Sequence, residues 1–252
     1  MVGRAAALLA LGTALALYYA FHERLWSASK WWDIAFIALV VIPACFALVW
    51  VVLPLRSWSR LWVAALSFAV AALLLHLAGW GTPENFCKLF AASALGFVFL
   101  SLFEALSWVV LVAAIIPWVD AYSVFSPQGP TNLIVNEHRR VFTTFSFAFP
   151  IPGEASSANL GLPDLLFFSL FLAAAARFNL RPGFTWLLMT LSFGATLAVA
   201  SVWRGGLPAL PLLALSFLLA NADLIWQRLR PGAVREAHSE EIGTRSSGRS
   251  EP

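Results

Sequence analysis

Charge is what this chain has least of. Asp, Glu, Lys and Arg make up 12% of its 252 residues, 60% are hydrophobic, and the mean hydropathy is +0.80. A soluble domain carries about a quarter charged residues, so there is little room for one here, and the long apolar runs call for a bilayer. The net charge of +3 is small and spread over loops and termini, which implies no nucleic-acid surface. Cysteine is nearly absent as well. Cys45 and Cys87 fall in or beside apolar runs and read as packing residues rather than a disulfide framework. The 4 histidines are scattered, with no HExxH or comparable cluster, so a metal centre lacks its ligands and no metal or organic cofactor is expected. A serine mechanism lacks its signature too: no GxSxG occurs, and His138 sits in a charged loop.

What is present is a succession of apolar runs. The first, Ala5 to Phe21, is just long enough to span. Its Arg4 flank and Ala14-Leu15-Ala16 also fit a cleaved signal peptide, but the lack of a following soluble domain favours a span. A loop with Trp26, Trp31 and Trp32 reads as an interfacial belt. Runs from Ile34 to Leu55 and Leu61 to Gly79 follow, the second holding a lone His76 that reads as a hydrogen-bonded core residue. From Phe86 to Phe125 the only charges are Lys88, Glu104 and Asp120; as one helix this run would extend about 60 Å, twice the hydrocarbon thickness. It must fold back, and Glu104 marks the hairpin tip. Leu160 to Phe178, Phe184 to Trp203 and Leu207 to Trp226 complete eight spans, with turns at Arg181-Pro182-Gly183 and Arg204-Gly205-Gly206. The expected fold is all-α, a polytopic transmembrane bundle. Residues 1–103 form the N-terminal helices and 104–226 a core containing the loop 126–159. The polar tail 227–252, rich in Ser, Glu, Arg and Gly, reads as disordered.

Two carboxylates interrupt this pattern. Asp120 lies near the end of the run from Ala105 to Phe125, and Asp164 near the start of the run from Leu160 to Phe178. A carboxylate in hydrocarbon costs at least ~2.5 to 3.5 kcal/mol, so two of them demand a reason. Each lies roughly 6 to 9 Å from the same membrane face, so antiparallel neighbours bring them to one level. Two adjacent carboxylates cannot both ionise cheaply and share a proton, as an aspartic protease requires. A proton-coupled transporter also carries such pairs, although no inverted internal symmetry is visible. A third reading is a membrane scaffold without catalysis. Asp223, near the end of the last run, reads as interfacial.

The flanking residues carry a resemblance. Trp118-Val119-Asp120-Ala121-Tyr122 leading to Pro127-Gln128-Gly129-Pro130 resembles the first-aspartate motif of presenilins, and Leu160-Gly161-Leu162-Pro163-Asp164 is similar to their GxGD motif. Leu207-Pro208-Ala209-Leu210-Pro211 resembles the PAL motif that opens their last helix. The three occur in order across Glu104 to Trp226, as in the intramembrane aspartyl proteases of the presenilin and signal peptide peptidase family, which usually have nine spans. The resemblance implies an endopeptidase without cofactor, whose catalytic pair is Asp120 and Asp164. It also implies that Gly161, Leu162, Pro163, Pro208, Ala209 and Leu210 line the site, and that the partners are the lipid bilayer and transmembrane segments of substrate proteins. Val119 stands where the family usually has Tyr, and Pro163 where it has the second Gly.

A protease in a membrane must also unwind its substrate. The segment Val141 to Phe149 is β-branched and aromatic, with Phe145, Phe147 and Phe149 alternating, a strand pattern that predicts pairing with an extended substrate. An amphipathic surface loop is the alternative. Small residues Ala121, Ser123, Ala173 to Ala176 and Ala209 predict close helix approach or a narrow aqueous cavity. With eight spans, Arg4, Arg56, Arg60, Arg177, Arg181 and the tail arginines share a side, which places both termini in the cytoplasm.

Overall fold

A computed structural model describes residues 2–27, 29–131, 133, 139–203 and 207–230. The expected disordered tail beyond 230, the turn at 204–206 and His138 lie outside the described residues. The chain is predominantly helical. In order come α1 (Val2–Phe21), α2 (Lys30–Phe36), α3 (Ile42–Val52), α4 (Leu61–Leu77), α5 (Gly81–Leu100) and α6 (Leu106–Phe125). The short α7 (Arg139–Thr144), the strands β1 (Ser146–Pro150) and β2 (Ser157–Gly161), and the helices α8 (Leu162–Arg177), α9 (Pro182–Ala200) and α10 (Leu210–Leu229) follow. A π-helical stretch, Ile37–Val41, joins α2 to α3 at Pro43, whose missing N–H breaks the regular ladder there.

Among the described residues, each apolar run read from the sequence is helical over most of its length. Five helical stretches are long and apolar enough to cross a membrane: Gly3–Arg24, Lys30–Ser57, Leu106–Phe125, Pro182–Ala200 and Leu210–Leu229. The other three fall short for visible reasons. α4 and α8 have 17 and 16 residues, and the first two turns of α5 carry Glu84, Asn85 and Lys88. Large apolar side chains face outward, including Trp108, Leu111, Ile115, Trp118, Tyr122 and Phe125 at helical spacing on α6. A stripe of that kind suits lipid, not water.

At the centre lies α8. Every residue from Phe168 to Ala175 is buried, so this helix is enclosed on all faces rather than along one stripe. Ring contacts fasten it: Phe168 lies 4.1 Å from Phe46 of α3, and Phe171 stacks at 4.8 Å on Phe217 of α10. Ala173, Ala174 and Ala175 are fully buried within α8. The tightest contact is with α5, where a Cβ added at Gly96 would press on the Leu166 carbonyl and come within 2.9 Å of the Ser169 Cβ. Gly96→Val therefore forces α8 away, and we expect a loss of about 1 to 3 kcal/mol, read as a lower thermal midpoint in detergent.

At one end of the bundle, arginines tie the turns together. Arg177 donates to the Leu100 carbonyl at 2.9 Å, Arg228 donates to the Phe178 carbonyl, and Arg181 forks onto Asp223 at 2.9 and 2.6 Å. Asp223 is exposed and paired, in keeping with an interfacial place. Trp26, Trp31 and Trp32 are exposed near the opposite end. His76 is hydrogen-bonded, to Glu84 at 3.1 Å, but its side chain is 43% exposed, so it is not a core residue. Cys45 is fully buried, and both cysteines are free.

The strand expected over 141–149 is shorter than its pattern. Arg139–Thr144 is helical and the extended stretch is Ser146–Pro150, which pairs antiparallel with β2. This small hairpin is the one sheet among the described residues of an otherwise helical protein, which remains compatible with the all-α expectation. Its turn holds Gly153 at φ +72°, whose N–H donates to the His22 carbonyl at 2.7 Å. A Cβ there would meet the Leu25 carbonyl at 2.9 Å, so only glycine serves at this turn.

Candidate functional site

Asp120 sits five residues before the end of α6, and Asp164 is the third residue of α8. The helices α6, α8 and α10 touch one another, and the Asp120 and Asp164 carboxyls are near enough to interact electrostatically. Both are half-buried. The third participant is the start of α10. The backbone N–H of Leu210 donates to Asp120 Oδ2 at 3.0 Å. That N–H is free to do so because Leu210 opens its helix, where the first four amides lack intrahelical acceptors. Pro208, Ala209 and Leu210 are all buried beside it, and Pro211 occupies the first turn, which suits a residue without an N–H.

Asp164 is fixed from its own chain. The Gly161 backbone amide faces its carboxyl, and a Cβ on Gly161 would lie 3.2 Å from Oδ2. The Gly161 backbone itself is ordinary, with φ −61° and ψ 143°. Gly161→Ala thus introduces no backbone strain and acts only through the crowded carboxyl. We expect an unchanged thermal midpoint and about a tenfold loss of whatever reaction Asp164 performs.

Pro163 lies in the first turn of α8, and the helix begins normally at Leu162, two residues after the start of its apolar run. The extended backbone belongs to β2, which ends at Gly161 and runs directly into the aspartate helix. Leu162 continues the ladder, its N–H donating to the Phe145 carbonyl at 3.2 Å.

The glycine of Pro127-Gln128-Gly129-Pro130 also has a clear task. A Cβ on Gly129 would collide with the Ser123 and Tyr122 carbonyls, so the loop folds tightly back over the end of α6. Thr131 closes this strap, its N–H donating to Ser123 Oγ at 3.1 Å while the two hydroxyls meet at 2.7 Å. Three residues before Asp120, Pro117 removes one rung of the α6 ladder. Val119 is 54% exposed on the outer face.

The hairpin departs from expectation in its side chains. Phe147 and Phe149 are buried and meet edge to face at 4.9 Å, whereas Phe145 is 63% exposed just before the strand. The two buried rings anchor β1 to the core. The backbone of β1 is occupied along both edges, by β2 on one side and by side chains of α1 and α5 on the other. Among the described residues, the strand that carries Phe147 and Phe149 thus already has partners on both edges, and Phe145 lies outside it.

Sequence reasoning missed this second edge. Glu84, Asn85 and Lys88 on α5 form a polar cluster in which Lys88 and Glu84 meet at 2.6 Å, with both side chains about nine-tenths buried. A run of charge and amide one turn long at the start of an apolar helix was the available signal. Among the described residues no group of His, Cys, Asp and Glu could hold a metal ion. No protein-family model matches the chain, and no curated protein matches it.

Proposed function

We propose that this protein is an intramembrane aspartyl endopeptidase that hydrolyses peptide bonds in or near transmembrane segments of other proteins. The observation that carries the reading is the convergence of three helix ends: Asp120 and Asp164 stand on helices that touch each other and α10, and one Asp120 oxygen is held by the Leu210 amide. One carboxylate takes a proton from water as it attacks the scissile carbonyl, while its protonated partner gives its proton to the carbonyl oxygen; the first then passes the water's proton to the leaving nitrogen, and the second takes a proton back from the gem-diol as the C–N bond breaks. Holding Asp120 through a backbone amide fixes one of its oxygens and leaves the other for this exchange. No metal or organic cofactor takes part.

A helical substrate commits its carbonyls to its own ladder, so it must become extended before water can attack. The receiving edge is β2. Leu162 pairs with Phe145 and Ile151 with Ser156 through backbone bonds, and this parity turns the Ser157, Asn159 and Gly161 amides and carbonyls away from β1. The Asn159 N–H and C=O have no partner among the described residues. A strand added there ends beside Asp164, which places its peptide bonds next to the carboxyls.

In this reading all eight apolar spans lie in the membrane, α4 and α8 included despite their 17 and 16 residues. The arginine-rich end, with Arg56, Arg60, Arg177, Arg181, Arg228 and Arg230, faces the cytoplasm, and so do both termini. The test is cleavage of a reporter transmembrane peptide by purified protein in lipid bicelles. Fragments from the wild type that vanish in Asp120→Asn and Asp164→Asn support the reading; fragments from all three, or from none, contradict it.

A further inference from the structure

A two-stranded sheet has two outer edges, and both ordinarily invite another strand. Here one is shut. The alternation that frees the outward groups of β2 also turns the Ser146, Ala148 and Pro150 backbone groups away from β2, toward α1 and α5. Each of their carbonyls is met by a side chain. Lys88 Nζ donates to the Ser146 carbonyl at 3.4 Å, and the Tyr18 hydroxyl donates to the Pro150 carbonyl at 2.6 Å. Pro150 has no N–H to satisfy.

The central residue, Ala148, is held from two directions. Asn85 Oδ1 accepts from the Ala148 N–H at 2.9 Å, and Asn85 Nδ2 donates to the Ala148 carbonyl at 2.8 Å. The Tyr19 hydroxyl adds a second donor to that carbonyl at 2.7 Å. A side-chain amide offers the same acceptor and donor as a peptide group. Asn85 therefore makes the pair of bonds that a neighbouring strand would make, from a helix that cannot slide. It is itself only 6% exposed, so it does this out of water.

We infer that Asn85 is a positioning residue that closes the β1 edge in place of a third strand, so that an extended peptide can join the sheet only along β2 and in one register. The inference rests on the proposed reading of β2 as the receiving edge. Its geometric basis is a straight line across the sheet. Ala148 is the cross-strand partner of Asn159, so the residue that Asn85 grips lies opposite the residue with the unpartnered outward amide and carbonyl. Movement of Ala148 shifts Asn159, and with it the alignment of a bound peptide on Asp164. Lys88 and Glu84 hold the same helix turn, which keeps Asn85 from swinging away.

The test compares the wild type with Asn85→Asp, which keeps the acceptor and loses the donor, and with Tyr19→Phe, a milder change at the same carbonyl. Two readouts are taken: residue-resolved amide exchange of Ala148, and the positions at which a reporter transmembrane peptide is cut. We expect Ala148 exchange to rise about tenfold in Asn85→Asp and less in Tyr19→Phe. Cleavage should spread from one dominant bond to its neighbours in both variants, including Tyr19→Phe, whose thermal midpoint should stay within a few degrees of wild type. A merely structural role would lower the midpoint and the total rate together and leave the cut positions alone. Unchanged exchange in both variants overturns the inference, as does raised exchange with an unchanged cleavage pattern. If the folded wild type cuts no peptide, the protease reading fails, and Ala148 exchange still decides whether Asn85 closes the edge.

Discussion

Asp120→Asn and Asp164→Asn each lower cleavage of a reporter transmembrane peptide by about a thousandfold or more, and the double variant is no worse than either alone. The size follows from the chemistry. An amide neither accepts a proton from water nor returns one to the leaving nitrogen, so each substitution removes a step that the remaining carboxyl cannot perform. The non-additivity follows because the two groups act as one unit. Asparagine keeps the shape of aspartate, and at position 120 its carbonyl oxygen can still accept from the Leu210 amide. The contact between α6 and α10 is therefore retained, and thermal midpoints should stay within a few degrees of wild type. A large fall in midpoint with either variant would mark a structural role for the carboxyl. Undiminished cleavage would remove the pair from the chemistry.

Asn159→Pro is expected to lower cleavage about a hundredfold while the hairpin survives. Proline removes the side-chain bonds of Asn159 to Ser146 Oγ and the Ser157 carbonyl, which Asn159→Ala removes alone, and one N–H, which points away from β1 and takes no part in the ladder. A proline is tolerated at such a position of an edge strand. The loss falls on the incoming peptide, which forfeits the central hydrogen bond of its pairing and its alignment on Asp164. Ala158→Pro is the contrasting variant, because the Ala158 amide faces Phe149 within the ladder. That change should disturb the hairpin itself and raise amide exchange along β1. Equal cleavage by Asn159→Pro and wild type would show that the outer edge of β2 receives nothing.

The helices and the aspartates were legible because the bilayer imposes simple rules. A span must be apolar for its whole length, so run lengths mark the helices, and a carboxylate inside such a run stands out against its surroundings. The fold-back at Glu104 followed from length alone, and the structure turns between Leu100 and Leu106. The hairpin was half legible. Its first strand carried the alternation of Phe147 and Phe149, but Val141 to Thr144 shared the same composition and became the end of a helix. β2, Ser157-Ala158-Asn159-Leu160-Gly161, does alternate, with Ala158 and Leu160 half-buried against the core, but a five-residue pattern with one large apolar side chain and a closing glycine is too short to stand out from a loop. It exists because β1 is held in place by α1 and α5. That hold depends on Asn85 and Tyr19, which act on Ala148 from 63 and 129 positions away. Pairings at such separation are set by packing and leave no periodic trace. Pro163 sits in the first turn of its helix, the ordinary place for a proline.

The most direct measurement is the mass of the products when the purified wild-type protein, in lipid bicelles made with oxygen-18 water, acts on a reporter transmembrane peptide. The account predicts two new fragments from a bond inside or at the edge of the transmembrane segment, with one solvent oxygen gained at the new carboxyl terminus of the N-terminal fragment. An intact peptide after prolonged incubation with folded protein, across several peptides of differing sequence, would contradict it.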